Sequence, residues 1–227
     1  MAFLSMSRLQ EIDAILFDLD GTLIDTDDMA VARLAKRLTW LLGQRSRPVA
    51  RRLVMSAETP GNAFMMMLDI LGLDERLMGL TDRLRRWRGV YPAGEFHLIP
   101  GVEEMLLRLQ HRYQIGLVTT RSRYHIEHFL AQFPTIANMV QASCGLQDTY
   151  RLKPHPAPVR LAAKRLNVPV ERCVMVGDTT VDVLSGRRAG AWSVAVLCGF
   201  GERPELERAG AHFVLPSTSN LLEILDK

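Results

Sequence analysis

Ala14-Ile15-Leu16-Phe17-Asp18-Leu19-Asp20-Gly21-Thr22 is the stretch from which the fold can be read. Four apolar residues end abruptly at an aspartate. A run this short, bounded by polar residues, reads as a strand buried on both faces of a parallel sheet. The pattern repeats downstream. Ile115–Val118 ends in Thr119-Thr120, Cys173–Val176 ends in Gly177-Asp178, and Ser193–Leu197 ends near Gly199. Weaker runs begin at Met139-Val140, ending near Gly145, and at His212–Leu215.

Helical patterns separate these runs. Val102, Leu106 and Leu109 follow a Pro100-Gly101 start, and Ile126, Phe129, Leu130 and Phe133 follow Ser122 as N-cap. Pro156–Leu166 and Thr180–Ala189 are helical in pattern too, with Gly190 suited to the left-handed position that closes a helix. Strands alternating with such helices predict an α/β fold, a Rossmann-like doubly wound parallel sheet.

Residues 24–96 break the rhythm with no strand-like run. Ala30, Val31, Leu34, Leu38, Leu41 and Leu42 form one amphipathic stripe. Thr59-Pro60 opens a second helix that Gly72 closes, and Leu73, Leu77, Leu80, Leu84, Trp87 and Tyr91 form another stripe. The prediction is a core of residues 1–23 and 97–227 with an inserted α-helical lobe over 24–96. Hinges are expected near Leu23–Thr26 and Phe96–Pro100.

The chain has 227 residues, 48% hydrophobic and 23% charged, which excludes disorder and fibrous arrays. Its 28 basic and 25 acidic residues leave a net charge of +3, too mild to indicate nucleic acid or membrane. Three cysteines without a paired framework suit a reducing compartment. No secretory signal pattern opens the chain, and no apolar run approaches the ~20 residues of a membrane span. A cytoplasmic protein is expected. The excess positive charge lies in 24–96, with 12 basic and 9 acidic residues. Arg45, Arg47, Arg51 and Arg52, and then Arg83, Arg85, Arg86 and Arg88, either face solvent or steer anionic substrates. No aromatic platform accompanies them, which argues against nucleic acid.

Ligands of an open α/β sheet bind beyond the carboxyl ends of its strands. The residues there are Asp18, Asp20, Thr119, Thr120 and Asp178, with Lys153 in the connection after the third run. Residues two apart in extended chain face the same way, so Asp18 and Asp20 are expected to address one ligand. Adjacent carboxylates favour a division of roles, one ionised as nucleophile and one carrying a proton. Gly21 permits a sharp turn. Asp178 and Asp182 add to a carboxylate-rich mouth, whose hard oxygen donors favour Mg²⁺. Carboxylates, a cation, a lysine and a hydroxyl in one crevice suit phosphoryl transfer. Arg121 stands where it could meet an anionic substrate.

These pieces resemble the haloacid dehalogenase-like hydrolase superfamily. Phe17-Asp18-Leu19-Asp20-Gly21-Thr22-Leu23, Leu117-Val118-Thr119, Lys153-Pro154-His155-Pro156 and Val176-Gly177-Asp178-Thr179-Thr180-Val181-Asp182 look like its four motifs, in order. The helical insert is similar to the family's mobile cap, in the phosphoglycolate phosphatase and β-phosphoglucomutase-like branch. The resemblance implies that Asp18 attacks phosphorus to form a phospho-aspartate, and that Asp20 protonates the leaving oxygen and then activates water. It implies that Asp18, the backbone carbonyl of Asp20 and Asp178 hold Mg²⁺, with Asp182 supporting the metal site and Lys153. Thr119 and Lys153 would bind the phosphoryl oxygens, with Gly21, Thr120 and Arg121 as further substrate or phosphate contacts. Asp20 stands where the family's dehalogenases usually carry Tyr and its phosphonate-cleaving branch Ala, so phosphate-ester chemistry is implied. Thr120 departs from the Asn common in phosphatase relatives.

The expected activity is Mg²⁺-dependent hydrolysis of a small phosphomonoester, a phosphorylated metabolite, by a monomer or homodimer. The alternatives are a phosphomutase acting on a sugar phosphate and a non-catalytic phosphate-binding interaction protein. A receiver module would also phosphorylate a strand-end aspartate, but needs neither Asp20 nor a helical insert.

Overall fold

The computed structural model describes residues 11–25, 43 and 95–225. The chain divides into Met1–Asp25 with Phe96–Lys227, and Thr26–Glu95. Apart from Ile24, Asp25, Gly43, Glu95 and Phe96, the helices and arginine clusters expected over 24–96 lie outside the described residues.

Six parallel strands form one sheet: β1 Ala14–Phe17, β2 Gln114–Val118, β3 Val140–Cys144, β4 Cys173–Gly177, β5 Trp192–Val196 and β6 Phe213–Leu215. Their order is β3-β2-β1-β4-β5-β6. The chain builds outward from β1 to β3, then returns to the other side of β1. Connections therefore leave the two neighbours of β1 in opposite directions, and a crevice opens at the carboxyl ends there.

The apolar run of β1 is continuous because both sheet faces are covered. Ile15 and Phe17 pack in one layer with Val102, Met105, Leu106 and Phe129. Ala14 and Leu16 pack in the other with Val159, Ala162 and Met175. Register then places the site. Phe17 lies opposite Leu117 on β2 and opposite Val176 on β4. The three strands end together, so the polar residues that follow each run converge.

Seven α-helices occur among the described residues: α1 Val102–Leu109, α2 Arg123–Gln132, α3 Pro134–Met139, α4 Ala157–Arg165, α5 Thr180–Ala189, α6 Arg203–Arg208 and α7 Leu222–Leu225. Helix α1 buries Val102, Leu106 and Leu109, the spacing read from sequence, and Met105 with them. Helix α5 starts with a capping box between Thr179 and Asp182 and ends at Gly190, whose φ is +97°. Two details differ from the sequence reading. Met139 closes α3 rather than opening a strand: Pro134 starts that helix, and Ile136 and Met139 are buried on it. Helix α6, with a Glu202–Glu205 capping box, and helix α7 were not anticipated.

The two segments expected to act as hinges run side by side. Ile24 bridges Leu98 in antiparallel sense. Asp25 N–H donates to the His97 carbonyl at 2.8 Å, and Ile99 N–H to the Leu23 carbonyl at 3.0 Å.

Candidate active site

Asp18 is the first residue past β1, and its N–H donates to the Val176 carbonyl at 2.9 Å. The carboxylate meets Lys153 at 2.8 Å. Lys153 is buried at 6% exposure, so its ammonium needs partners. It finds Asp18, Asp182 Oδ1 at 2.5 Å and the Val118 carbonyl at 3.0 Å. Burial works against its charge, but Asp18 and Asp182 outweigh burial and hold the ammonium above its ordinary pKa. Asp182 divides its oxygens. Oδ1 takes Lys153, while Oδ2 accepts from Thr179 N–H at 3.1 Å and Thr179 Oγ1–H at 2.5 Å. One side chain thus starts α5 and orients the lysine.

Asp178 follows β4 and is 1% exposed. Its Oδ2 accepts from Phe200 N–H at 2.8 Å, and its Oδ1 is buried without a hydrogen-bond partner. Ligand oxygens of Asp18, Asp178 and Asp182 all lie within 4.8 Å of one another. Among the described residues, three carboxylates gather here, and Lys153 pairs with two of them, Asp18 and Asp182. Burial, partly offset by Lys153, and then the charges of Asp182 and Asp20 push the Asp18 carboxyl up to about 7. Burial, followed by Asp182 and Asp18, raises Asp178 well above the carboxylate range. Among the described residues, the cluster carries more negative charge than positive. A hard divalent cation fits this donor set, and the orphaned Asp178 Oδ1 supplies a lone pair for it.

The chain bends at Leu19, so strand alternation does not carry past Phe17. Gly21 completes the turn at φ +66°, its N–H donating to the Ile24 carbonyl at 2.9 Å. A Cβ on Gly21 would stand 2.7 Å from Asp178 Cγ, so the turn and the position of the Asp178 carboxylate both require glycine. Asp20 does not join the carboxylate cluster through its side chain. Arg121 grips it: Nε donates to Oδ2 at 2.7 Å and Nη2 to Oδ1 at 2.6 Å. Burial opposes the guanidinium charge, but the hydrogen bonds and charge of Asp20 raise its pKa overall.

Thr119 is buried at the end of β2, its N–H donating to the Cys144 carbonyl at 2.9 Å. Its Oγ1 accepts from Arg121 N–H at 3.1 Å. Thr120 is exposed beside it. The structure therefore gathers Asp18, Lys153, Asp178 and Asp182 at one point, and places Thr119, Thr120, Asp20, Gly21 and Arg121 around the same strand ends.

Gly199 and Phe200 were missed from sequence. They follow β5, and their loop closes over Asp178. A Cβ on Gly199 would lie 2.5 Å from Asp178 Cγ and 2.7 Å from its Cβ. The available signal was Gly199 and Gly201 directly after an apolar run, a strand-end loop on the crevice side. Cys144 and Cys173 are buried within the sheet as small apolar groups. No helix among the described residues is long and apolar enough to cross a membrane.

Known proteins resemble this chain. A phosphoglycolate phosphatase of Xanthomonas campestris pv. campestris is 32% identical over 195 residues, covering 82% of this chain and 84% of its own. Pyrophosphatase PpaX of Bacillus mycoides is 27% identical over 219 residues, covering 96% and 98%. The crystal structure of a hydrolase from Pseudomonas syringae superposes with a TM-score of 0.63 at 25% identity, covering 94% of this chain and 98% of that one. Residues 15–196, which run from β1 through β5 and contain Asp18, Asp20, Thr119, Lys153, Asp178 and Asp182, match the family described as haloacid dehalogenase-like hydrolase. The chain belongs to the haloacid dehalogenase-like hydrolases and is an enzyme of their phosphatase type.

Proposed function

We propose that the protein hydrolyses a small phosphomonoester through a phospho-aspartate at Asp18, with Mg²⁺ as cofactor. The observation that carries this reading is the position of Asp18: past the central strand, on the ammonium of Lys153, within reach of Asp178 and Asp182. Asp18 and Asp178, with the backbone carbonyl of Asp20, are the proposed metal ligands, and Asp182 holds Lys153 in place. Bound there, the cation supplies positive charge that keeps these carboxylates ionised and neutralises phosphoryl oxygens.

An Asp18 carboxylate oxygen attacks phosphorus and forms the acyl phosphate, while the bond to the ester oxygen breaks. Asp20 gives its proton to that leaving oxygen, so an alcohol departs. Water then attacks the phosphorus, Asp20 takes its proton, and inorganic phosphate leaves Asp18 free. Lys153 and Thr119 hold phosphoryl oxygens throughout, with Gly21, Thr120 and Arg121 bordering the phosphate. Residues 24–96 act as a helical cap that excludes water until the second step.

The test is phosphate release from a panel of phosphate esters with and without Mg²⁺. Phosphoglycolate and pyrophosphate lead the panel because the relatives carry those names. Release that needs both Mg²⁺ and an intact Asp18, and is lost in Asp18→Asn, supports the reading. Release that survives Asp18→Asn, or no release from any ester, overturns it. An isomerised sugar phosphate without free phosphate would indicate a mutase instead.

A further inference from the structure

Arg121 is held more firmly than a substrate-binding arginine at a pocket mouth needs to be. Its N–H donates to Thr119 Oγ1 at 3.1 Å, and its carbonyl accepts from Leu146 N–H at 2.9 Å. Its guanidinium lies over the Phe96 ring, 5.3 Å from the centroid. Phe96 is itself clamped. The Gln132 amide receives its N–H at 2.8 Å and donates to its carbonyl at 2.7 Å. Edge contacts to His128 and Phe129, at 5.5 and 5.9 Å, set the ring plane.

On this platform Nε and Nη2 engage both oxygens of Asp20. A bidentate fork sets the plane of a carboxylate as well as its position. Asp20 follows the bend at Leu19, with 28% of its side chain exposed, so burial in the core does not set its rotamer. Proton transfer requires an approach of about 2.6–3.2 Å, and a misplacement of roughly 1 Å can cost on the order of a hundredfold in rate.

We infer that Arg121 is a positioning residue for Asp20, aiming its carboxyl group at the leaving oxygen, and that Phe96 and Gln132 support the fork. The inference rests on the reading of Asp20 as the proton donor, and goes beyond it by assigning Arg121 a task other than holding substrate.

The test exploits leaving-group chemistry. An alkyl phosphate must have its departing oxygen protonated, whereas 4-nitrophenolate leaves without a proton. The full-length wild type, Arg121→Met and Arg121→Lys are compared with Mg²⁺ on an alkyl phosphate and on 4-nitrophenyl phosphate. Here kcat/KM reports the steps up to leaving-group departure. Arg121→Met is expected to lower kcat/KM on the alkyl ester through kcat by ~30- to 100-fold, and on the nitrophenyl ester by no more than about threefold. Arg121→Lys, which keeps the charge but not the fork, is expected to recover part of the loss.

A rise in KM alone, equal on both esters, would overturn the inference and return Arg121 to substrate binding. Equal losses in kcat/KM would overturn it as well, as would a lowered melting temperature without ester dependence. If Arg121→Met does not fold, Arg121→Lys carries the same comparison, and an absent ester dependence there overturns the inference. A wild type that hydrolyses neither ester overturns both the inference and the proposed function. Only the inference falls if the wild type hydrolyses both and the variants lose them equally.

Discussion

Gly199→Ala is expected to disable the proposed metal site without touching any of the groups proposed to contact substrate. The φ of Gly199 lies outside the left-handed region, so alanine can adopt the backbone and the effect is purely the added methyl group. That methyl group would sit 2.5 Å from Asp178 Cγ, against 3.4 Å for ordinary contact, a shortfall of about 0.9 Å. Asp178 is fully packed and cannot retreat at no cost. Either its carboxylate shifts by that amount and gives up the Phe200 N–H, or the 198–201 loop lifts. Overpacking of this kind costs about 1–3 kcal/mol, or roughly 2–12 °C of melting temperature in a chain this size. Displacing a ligating carboxylate should weaken Mg²⁺ affinity by at least ~10- to 100-fold, the range seen even for outer hydrogen-bond partners. Calorimetric titration with Mg²⁺, or Mn²⁺ resonance, reads the affinity, and a thermal melt reads the stability. A double cycle with Asp178→Asn isolates the cause: if both changes act through one carboxylate, the double variant should be little worse than Asp178→Asn alone. Wild-type affinity in Gly199→Ala, or full additivity in the cycle, would refute the reasoning.

Lys153→Met should destabilise the fold by about 3–5 kcal/mol, because it strands buried carboxylates that share one ammonium; urea unfolding without divalent metal measures this. Asp148 accepts from Arg165 at 2.7 Å, Arg123 at 3.1 Å and the Gly145 N–H at 2.9 Å. Burial works to raise its pKa, but these donors win and hold it below its ordinary value. Its contribution is therefore complete above the unfolded pKa of about 4 and is lost as pH falls through the folded value, so Asp148→Asn should flatten the acid limb of stability against pH. Burial, with Asp148 next, pushes the Cys144 thiol to about 11, and burial, with Asp13 next, pushes Cys173 to about 12. A thiol reagent near pH ~8 should label half-buried Cys198 in the folded chain and the other two only after unfolding, as mass spectrometry would show.

Much of the fold was legible because the cues are local. Apolar runs buried on both faces mark strands, and β1, β2, β4 and β5 fall within one residue of the runs that announce them. Helix α5 matches its expected span, since Thr179, Asp182 and Gly190 punctuate it through their own backbone chemistry. Helix α3 was misread at Met139 because one buried methionine is compatible with the end of a helix or the start of a strand. The site motifs were legible for a related reason: each polar residue stands directly after an apolar run, and strand ends in such sheets face one crevice.

The tertiary structure decided what local pattern cannot encode. An apolar run says that a strand is covered, not which strand lies beside it, so the order β3-β2-β1-β4-β5-β6 has no signature in any one segment. Asp20 and Arg121 are 101 positions apart, and no local pattern announces that they pair. Gly199 matters only because its loop folds over Asp178, which neither residue type announces. Sequence carries the faces and the caps, since these follow from periodicity and backbone chemistry within a few residues. Partners come from packing, because a buried carboxylate or ammonium takes whichever complementary group the folded chain brings within hydrogen-bond reach.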